Sequence, residues 1–224
     1  MSKSIVINKT IKKFNSAINN IPGDKSISIR TILLSSIALG KSKIKYLPNS
    51  EDVKSSIKCC KKLGVQIKRK KNTTEIYGKG INGFSYKKNL VLDAGNSATV
   101  ARTLMGCLIR SPYKIKLTGD SSLVKRDISR VIFPLQKFGA TFYPKKKKTL
   151  PIFIKGTNFV RPIYWKNSIG SAQINTSISL ASLNSPGETI IKSERCRDHT
   201  EKLFKYLKIP IKIKKEKNYD LIKI

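Results

Sequence analysis

Residues 22–40 read PGDKSISIRTILLSSIALG: a turn of small and polar residues, then a run that is apolar nearly all round a helix. The same pattern returns twice, as AGNSATVARTLMGCLI over 94–109 and IGSAQINTSISLASL over 169–183. Lys25 lies 72 positions before Ser97, and Ser97 lies 74 before Ser171, which sets an internal repeat. A helix with no polar face holds together only when neighbours cover it on all sides. Three such helices in one chain therefore predict a shared, buried central layer.

Each opening helix is followed by a short strand and then an amphipathic helix candidate. These second helices are SEDVKSSIKCCKKLG (50–64), SSLVKRDISRVIFPLQKFG (121–139) and RDHTEKLFKYL (197–207). In the first, Val53, Ile57, Cys60 and Gly64 recur at helical spacing. Ser50, followed by Glu51 and Asp52, reads as a helix N-cap. Leu63-Gly64 and Phe138-Gly139 read as helix stops. Paired strands come next: VQIKRK with TEIYGKG, ATFYPK with LPIFIKG, and IPIKIKK with YDLIKI, the alternation being clearest over Ile209–Ile213. The Lys145–Lys148 run reads as a hairpin turn. The plan is an α/β (α+β) chain, a lobe of three βαβαββ repeats over about 21–90, 91–158 and 159–224. Its central helices are buried and its mixed sheets lie outside.

The chain has 224 residues, 39% of them hydrophobic, enough for a real core, and no apolar run of membrane-spanning length. The opening MSKSIVINKTIKKF has no apolar signal core, so a cytoplasmic location and no membrane partner are expected. Cys59, Cys60, Cys107 and Cys196 form no CxxC pair and His199 is the one histidine; no metal site is expected, and the thiols read as buried and reduced. Net charge is +33, from 46 basic and 13 acidic residues, with only nine arginines among the basic ones. The lysines spread along the whole chain. Solvated faces explain that spread, and the field they create favours an anionic small molecule. The rival reading is an inactive or non-enzymatic basic module that binds anions or nucleic acid. It requires aromatics interleaved on a basic strand face and a steep salt dependence, and no such stripe is legible.

The opening helices begin Gly-Asp-Lys-Ser, Gly-Asn-Ser-Ala and Gly-Ser-Ala-Gln. A helix N-terminus offers unpaired N–H groups and partial positive charge, and small residues let an anion reach the backbone. Related by a repeat, three such ends can converge on one phosphate-rich pocket. Lys25, Arg30, Arg126 and Arg197 add point charges and bidentate forks.

PGDKSISIR, LDAGNSATVAR, LTGDSSLVKRDISRV, LPIFIKG, SAQINTSISLASL and RDHTEKL, in this order and spacing, resemble the enolpyruvyl transferases from about residue 5 to the end. The branch acting on a UDP-sugar fits less well, because it opens with Lys-Asn and carries a reactive-cysteine loop. The resemblance implies an inside-out barrel-like architecture in two lobes with a cleft between them. It implies transfer of the enolpyruvyl group of phosphoenolpyruvate to the 5-hydroxyl of shikimate 3-phosphate, with release of phosphate and no cofactor. Lys25 and Ser26 then contact substrate, with Lys25 also moving a proton at C3 of the enolpyruvyl group. Arg30, Ser171, Ala172, Gln173 and Arg197 fall to shikimate 3-phosphate. Asn96, Ala98 and Arg126 fall to phosphoenolpyruvate, which Lys25 and Gln173 also approach.

The departures from the family pattern are local and global. Ile29 replaces a polar residue beside Arg30. Ala98 brings a methyl where many relatives have Gly, and Asp127 stands where Pro is common, placing a carboxylate that can pair with a cation. The chain has roughly half the family's length. Residues 1–20 resemble a strand that the family places in its second lobe, and residue 224 falls where that lobe is expected to begin. The expected partners are the two small molecules and the missing second lobe, in cis or in trans, without nucleic acid, in a monomer. That lobe would supply an Asp and a Glu for acid–base work.

Overall fold

The computed structural model describes residues 21–224, together with the single positions Val6, Asn8 and Asn15. The expected second-lobe strand over 1–20 therefore lies outside the described residues. The first repeat supplies α1 (Lys25–Ile37), β1 (Leu39–Lys45), α2 (Glu51–Lys62), β2 (Gln66–Arg69) and β3 (Thr73–Lys79). The second supplies β4 (Val91–Asp93), α3 (Ala98–Cys107), β5 (Ile115–Thr118), a 3-10 turn (Leu123–Lys125), α4 (Ser129–Phe138), β6 (Thr141–Tyr143) and β7 (Ile152–Lys155). The third supplies β8 (Tyr164–Asn167), α5 (Ala172–Ser182), β9 (Ile190–Glu194), α6 (His199–Tyr206), β10 (Lys212–Lys215) and β11 (Tyr219–Lys223).

The repeat is visible in the sheets. The second and third run β4-β5-β7-β6 and β8-β9-β11-β10. In both, the first two strands are parallel and flank an opening helix, and the remaining pairs are antiparallel. The first sheet, β1-β3-β2 among the described residues, has the same order less its leading strand. The three sheets stay separate. In β3, Thr74 and Ile76 are buried on the side that packs on α1, and Glu75 and Tyr77 alternate to the other face. Among the described residues, no helix is long and apolar enough to cross a membrane.

The opening helices form the core. Ile29, Ile32 and Leu33 of α1, Val100, Leu104 and Met105 of α3, and Ile178 of α5 are fully buried. So are many of their hydroxyls, which burial would penalise if they were left unpaired. Ser36, Thr103, Thr176 and Ser179 solve this by donating to the carbonyl four residues earlier in the same helix. Small residues also let the backbones approach. A Cβ at Gly106 of α3 would lie 2.2 Å from the Ser177 carbonyl oxygen of α5.

Two expectations need correction. The stretch 121–139 is not one helix. Asp120 accepts from the N–H groups of Ser122 and Leu123 and starts a single 3-10 turn. Arg126 is then extended (φ −82°, ψ 138°), and Asp127 accepts from Ser129 N–H to begin α4. Two short acidic side chains thus outcompete helix continuation in the middle of an apolar pattern. The alternation over Ile209–Ile213 is strand only from Lys212 onward. The hairpin turn at Lys145–Lys148 and the left-handed stops at Gly64 (φ +85°) and Gly139 (φ +114°) are present.

Behind α5 lies a buried polar cluster. Asn167 donates to Asn175 Oδ1 (2.8 Å) and to the Ser171 carbonyl (3.0 Å), and Asn175 donates to Ser193 (3.1 Å) and Glu201 (3.4 Å). Burial pushes the Glu201 carboxyl above its ordinary range, against the opposing pull of Asn175 and Arg30.

Two predictions follow from this packing. Gly106→Ala forces α3 and α5 apart, and overpacking of this kind costs about 1–3 kcal/mol; denaturant unfolding at wild-type stability would show that the helices do not need this approach. For Glu201, the folded state holds its proton more tightly than the unfolded chain does. Its contribution is therefore most favourable below the ordinary carboxylate value and declines as pH rises through the raised folded value. Glu201→Gln should thus gain on wild type as pH rises from about 4, the ordinary carboxylate value, through the raised folded value, in melts compared at each pH. A difference that shrinks as pH rises contradicts the assignment.

Candidate functional site

The first turns of α1, α3 and α5 meet at one end of the central layer, and hydrogen bonds tie them pairwise. Each start is fixed locally. Asp24 caps α1 by accepting from Ile27 N–H (2.7 Å), and Ser97 caps α3 by accepting from Val100 N–H (3.2 Å). The turn into α5 is held from behind by Asn167 and passes through Gly170 at φ +53°, a conformation that favours glycine. Ser171 occupies the N-cap of α5 and makes no capping hydrogen bond through its side chain. Its hydroxyl and the first N–H groups of α5 are therefore not used up in capping the helix.

Arg30 joins α1 to α5 and α6. It is 2% exposed. Its Nε donates to Thr176 Oγ1 and Thr200 Oγ1 (both 3.0 Å), its Nη1 to the Ser26 carbonyl (2.9 Å) and its Nη2 to the Ala172 carbonyl (3.5 Å). Burial pulls the guanidinium below its ordinary pKa while Glu201 and Asp24 push it back; arginine stays charged regardless. Arg197 is exposed and close enough to Arg30 to repel it. Ile29, the apolar neighbour of Arg30 in the sequence, is fully buried in the core.

Gln173 joins α5 to α3. Its Oε1 accepts from Arg102 Nη1 (2.6 Å) and its Nε2 donates to Thr99 Oγ1 (3.0 Å), so both ends of the amide are fixed. Arg102 also donates through Nη2 to the Asp127 carbonyl (2.6 Å) and so holds the extended link that carries Arg126. Burial lowers the pKa of Arg102, and repulsion from Arg130 and Arg126 lowers it further. The Asp127 carboxylate, expected to pair with a cation, accepts from the N–H and hydroxyl of Ser129, with Lys148 and Arg130 near enough to favour its charged form.

Lys25 joins α1 to α2: its Nζ lies 3.3 Å from Asp52 Oδ1, which also accepts from the hydroxyl of Ser97. Lys25 and Asn96 are exposed, and Ser26, Ala172 and Gln173 are half-buried. Ala98 is 7% exposed with its methyl in the core cluster. Asn96 also lines a cavity of about 400 Å³ with Glu51, Lys58, Asp93 and Asp120. Its carboxylates make that cavity a poor receptor for a dianion.

The result is two cationic clusters flanking the start of α5. One is Arg30 with Arg197; the other is Arg102 with Arg126 and Arg130. Sequence reading had omitted Arg102, Arg130 and Asp52. A signal for Arg102 was present, since it lies 72 positions after Arg30, the spacing of the repeat itself. In the third repeat the corresponding position, 74 further on, is Thr176, the acceptor for Arg30.

A family model described as EPSP synthase (3-phosphoshikimate 1-carboxyvinyltransferase) matches residues 8–223. The 3-phosphoshikimate 1-carboxyvinyltransferase of Paramagnetospirillum magneticum is 40% identical over 183 residues, covering 81% of this chain and 41% of that protein. Its namesake from Alkaliphilus metalliredigens is 41% identical over 189 residues, covering 84% and 44%. The solved EPSP synthase of Acinetobacter baumannii superposes with a TM-score of 0.81 at 33% identity, over 90% of this chain and 45% of that one. The chain thus spans less than half the length of these relatives, and its three-repeat lobe, its ordered motifs and the family match together show that it belongs to the EPSP synthase family.

Proposed function

We propose that this chain is the shikimate 3-phosphate-binding half of an enzyme that transfers the enolpyruvyl group of phosphoenolpyruvate to the 5-hydroxyl of shikimate 3-phosphate. The observation that carries the reading is the pair of arginine clusters around the N-terminal turn of α5, in each of which one arginine, Arg30 or Arg102, is fixed by hydrogen bonds within the lobe. Two dianionic substrates need two such receptors. Preorganised donors stabilise developing charge without reorganising at the moment of reaction.

In this reading Arg30 holds the starts of α1 and α5 in place, and Ser26, Ser171, Ala172, Gln173 and Arg197 receive shikimate 3-phosphate. Arg126, Asn96, Ala98 and Gln173 border phosphoenolpyruvate, with Ala98 contributing backbone because its methyl faces the core. The 5-hydroxyl oxygen bonds to C2 of phosphoenolpyruvate while C3 takes a proton, which Lys25 delivers. The adduct then expels phosphate from C2 as C3 gives a proton back, which restores the C2=C3 double bond in the enol ether product. The base for the 5-hydroxyl comes from a second lobe, whose closure excludes water and brings the reactants together. No cofactor takes part. The complementary lobe, in cis or in trans, is the one macromolecular partner of this cytoplasmic monomer.

Two outcomes are expected. Losing a charge-assisted contact costs about 1.5–3 kcal/mol, so Arg197→Ala should weaken shikimate 3-phosphate binding by about ten-fold or more. Equal affinities for wild type and variant by calorimetry would remove Arg197 from the site. The 224-residue chain alone should release negligible phosphate from the two substrates, yet melt at higher temperature with shikimate 3-phosphate, which binds the folded state preferentially. Adding the complementary lobe should restore turnover. Family-like rates from the purified chain alone would place the missing acid–base groups within these residues.

A further inference from the structure

Asp52 is placed unlike any other carboxylate among the described residues. It lies in the first turn of α2, where Ser50 caps the helix, so the helix does not need the Asp52 side chain as its cap. One of its oxygens, Oδ1, takes hydrogen bonds from two opening helices at once: from Lys25 Nζ of α1 at 3.3 Å and from the hydroxyl of Ser97 at the cap of α3. The side chain of Asp52 is 20% exposed and that of Lys25 45%. Ser97 is 1% exposed, and its oxygen accepts from Val100 N–H while its hydrogen goes to Asp52. The carboxylate is therefore aimed by a buried, fully committed hydroxyl, and Lys25 is the mobile partner.

We infer that Asp52 is a positioning residue for Lys25. This rests on the proposed substrate reading and names a group that the reading does not use. A lysine side chain has many rotamers and, on a helix start facing solvent, spreads its charge over a wide arc. Asp52 confines that arc to the gap between the starts of α1 and α3, where Lys25 meets a ligand held by α5. The arrangement also has a counter-intuitive sign. A carboxylate next to an anion site repels the anion, so on simple charge grounds its removal should tighten binding. If it acts through Lys25, its removal should loosen binding instead.

That opposition of sign provides the test. Asp52→Asn keeps an oxygen for the Ser97 hydroxyl and removes the charge that holds Lys25. Calorimetry of the 224-residue chain with shikimate 3-phosphate is run on wild type, Asp52→Asn, Lys25→Met and the double variant, with Arg197→Ala alongside. An ion pair this exposed is worth up to about 1 kcal/mol, so Asp52→Asn should weaken binding by about two- to five-fold when Lys25 is present. In the Lys25→Met background the same change should leave affinity equal or tighter. Tightening in both backgrounds would make Asp52 a plain background charge, and additive weakening would make it scaffold; either overturns the proposal. If wild type does not bind, or Arg197→Ala binds as wild type does, the substrate reading fails independently of the cycle. Thermal melts check that each variant is folded. Should Asp52→Asn unfold, Asp52→Glu carries the test: by keeping the charge it should retain more than half of the Lys25-dependent affinity, and loss equal to that of Lys25→Met overturns the role.

Discussion

The buried guanidinium of Arg30 is the constraint around which the lobe is arranged. A charge taken almost wholly out of water costs several kcal/mol unless its donors are met. Here Nε, Nη1 and Nη2 all find oxygens, on Thr176, Thr200, Ser26 and Ala172. Those acceptors lie on α1, α5 and α6, the last two 142 to 170 residues along the chain from Arg30. Satisfying one side chain therefore fixes how the first and third repeats meet, and it fixes them at the helix starts where an anion would bind. The same donors that stabilise the fold prevent the site from relaxing.

Repetition explains why the site is asymmetric. Three equivalent helix positions carry Arg30, Arg102 and Thr176. Arginine at all three would place three guanidiniums on one axis with no acceptor. With threonine in the third, α5 becomes the acceptor for Arg30 through its Thr176 hydroxyl and for Arg102 through Gln173. The two arginines are drawn to opposite flanks of α5, and each has a second cation beside it. Divergence at one repeat position thus turns a pseudo-threefold core into two separate cationic clusters.

How much of this was legible in the sequence depended on the range of the interaction. The opening helices, the cap at Ser50, the glycine stops and the hairpins are local, and all are present. The break at Arg126 was missed because apolar periodicity continues through it, while the deciding hydrogen bonds come from Asp120 and Asp127. Asp52 was read only as helix-start charge, because its partners are 27 and 45 residues away. Arg102 and Gln173 are 71 residues apart and meet only when α3 packs on α5. Repeat spacing could have flagged Arg102, but no local pattern reveals whether such a residue touches ligand or holds the residue that does.

The large positive charge divides along the same line. Lysines populate the outer sheet faces, where four of them lie over three tyrosine rings: Lys41 and Lys68 over Tyr77 at 5.8 and 5.7 Å, Lys114 over Tyr143 at 4.2 Å and Lys192 over Tyr219 at 4.0 Å. These rings are occupied by cations, which removes them as stacking platforms for bases. Their distance from the site matters too. At physiological ionic strength the screening length is about 8 Å, so charges on the outer faces raise the encounter rate of an anion more than they strengthen its bound state. Affinity and orientation then rest on the few groups within hydrogen-bond reach. In the proposed reading Arg197 and Arg126 offer planar forks that match a phosphate or carboxylate, beside Arg30 and Arg102, which are held by side chains of the third repeat. A lysine-rich exterior could change without altering the receptor, whereas an Arg30→Lys exchange would not be conservative: one ammonium cannot reach α1, α5 and α6 together.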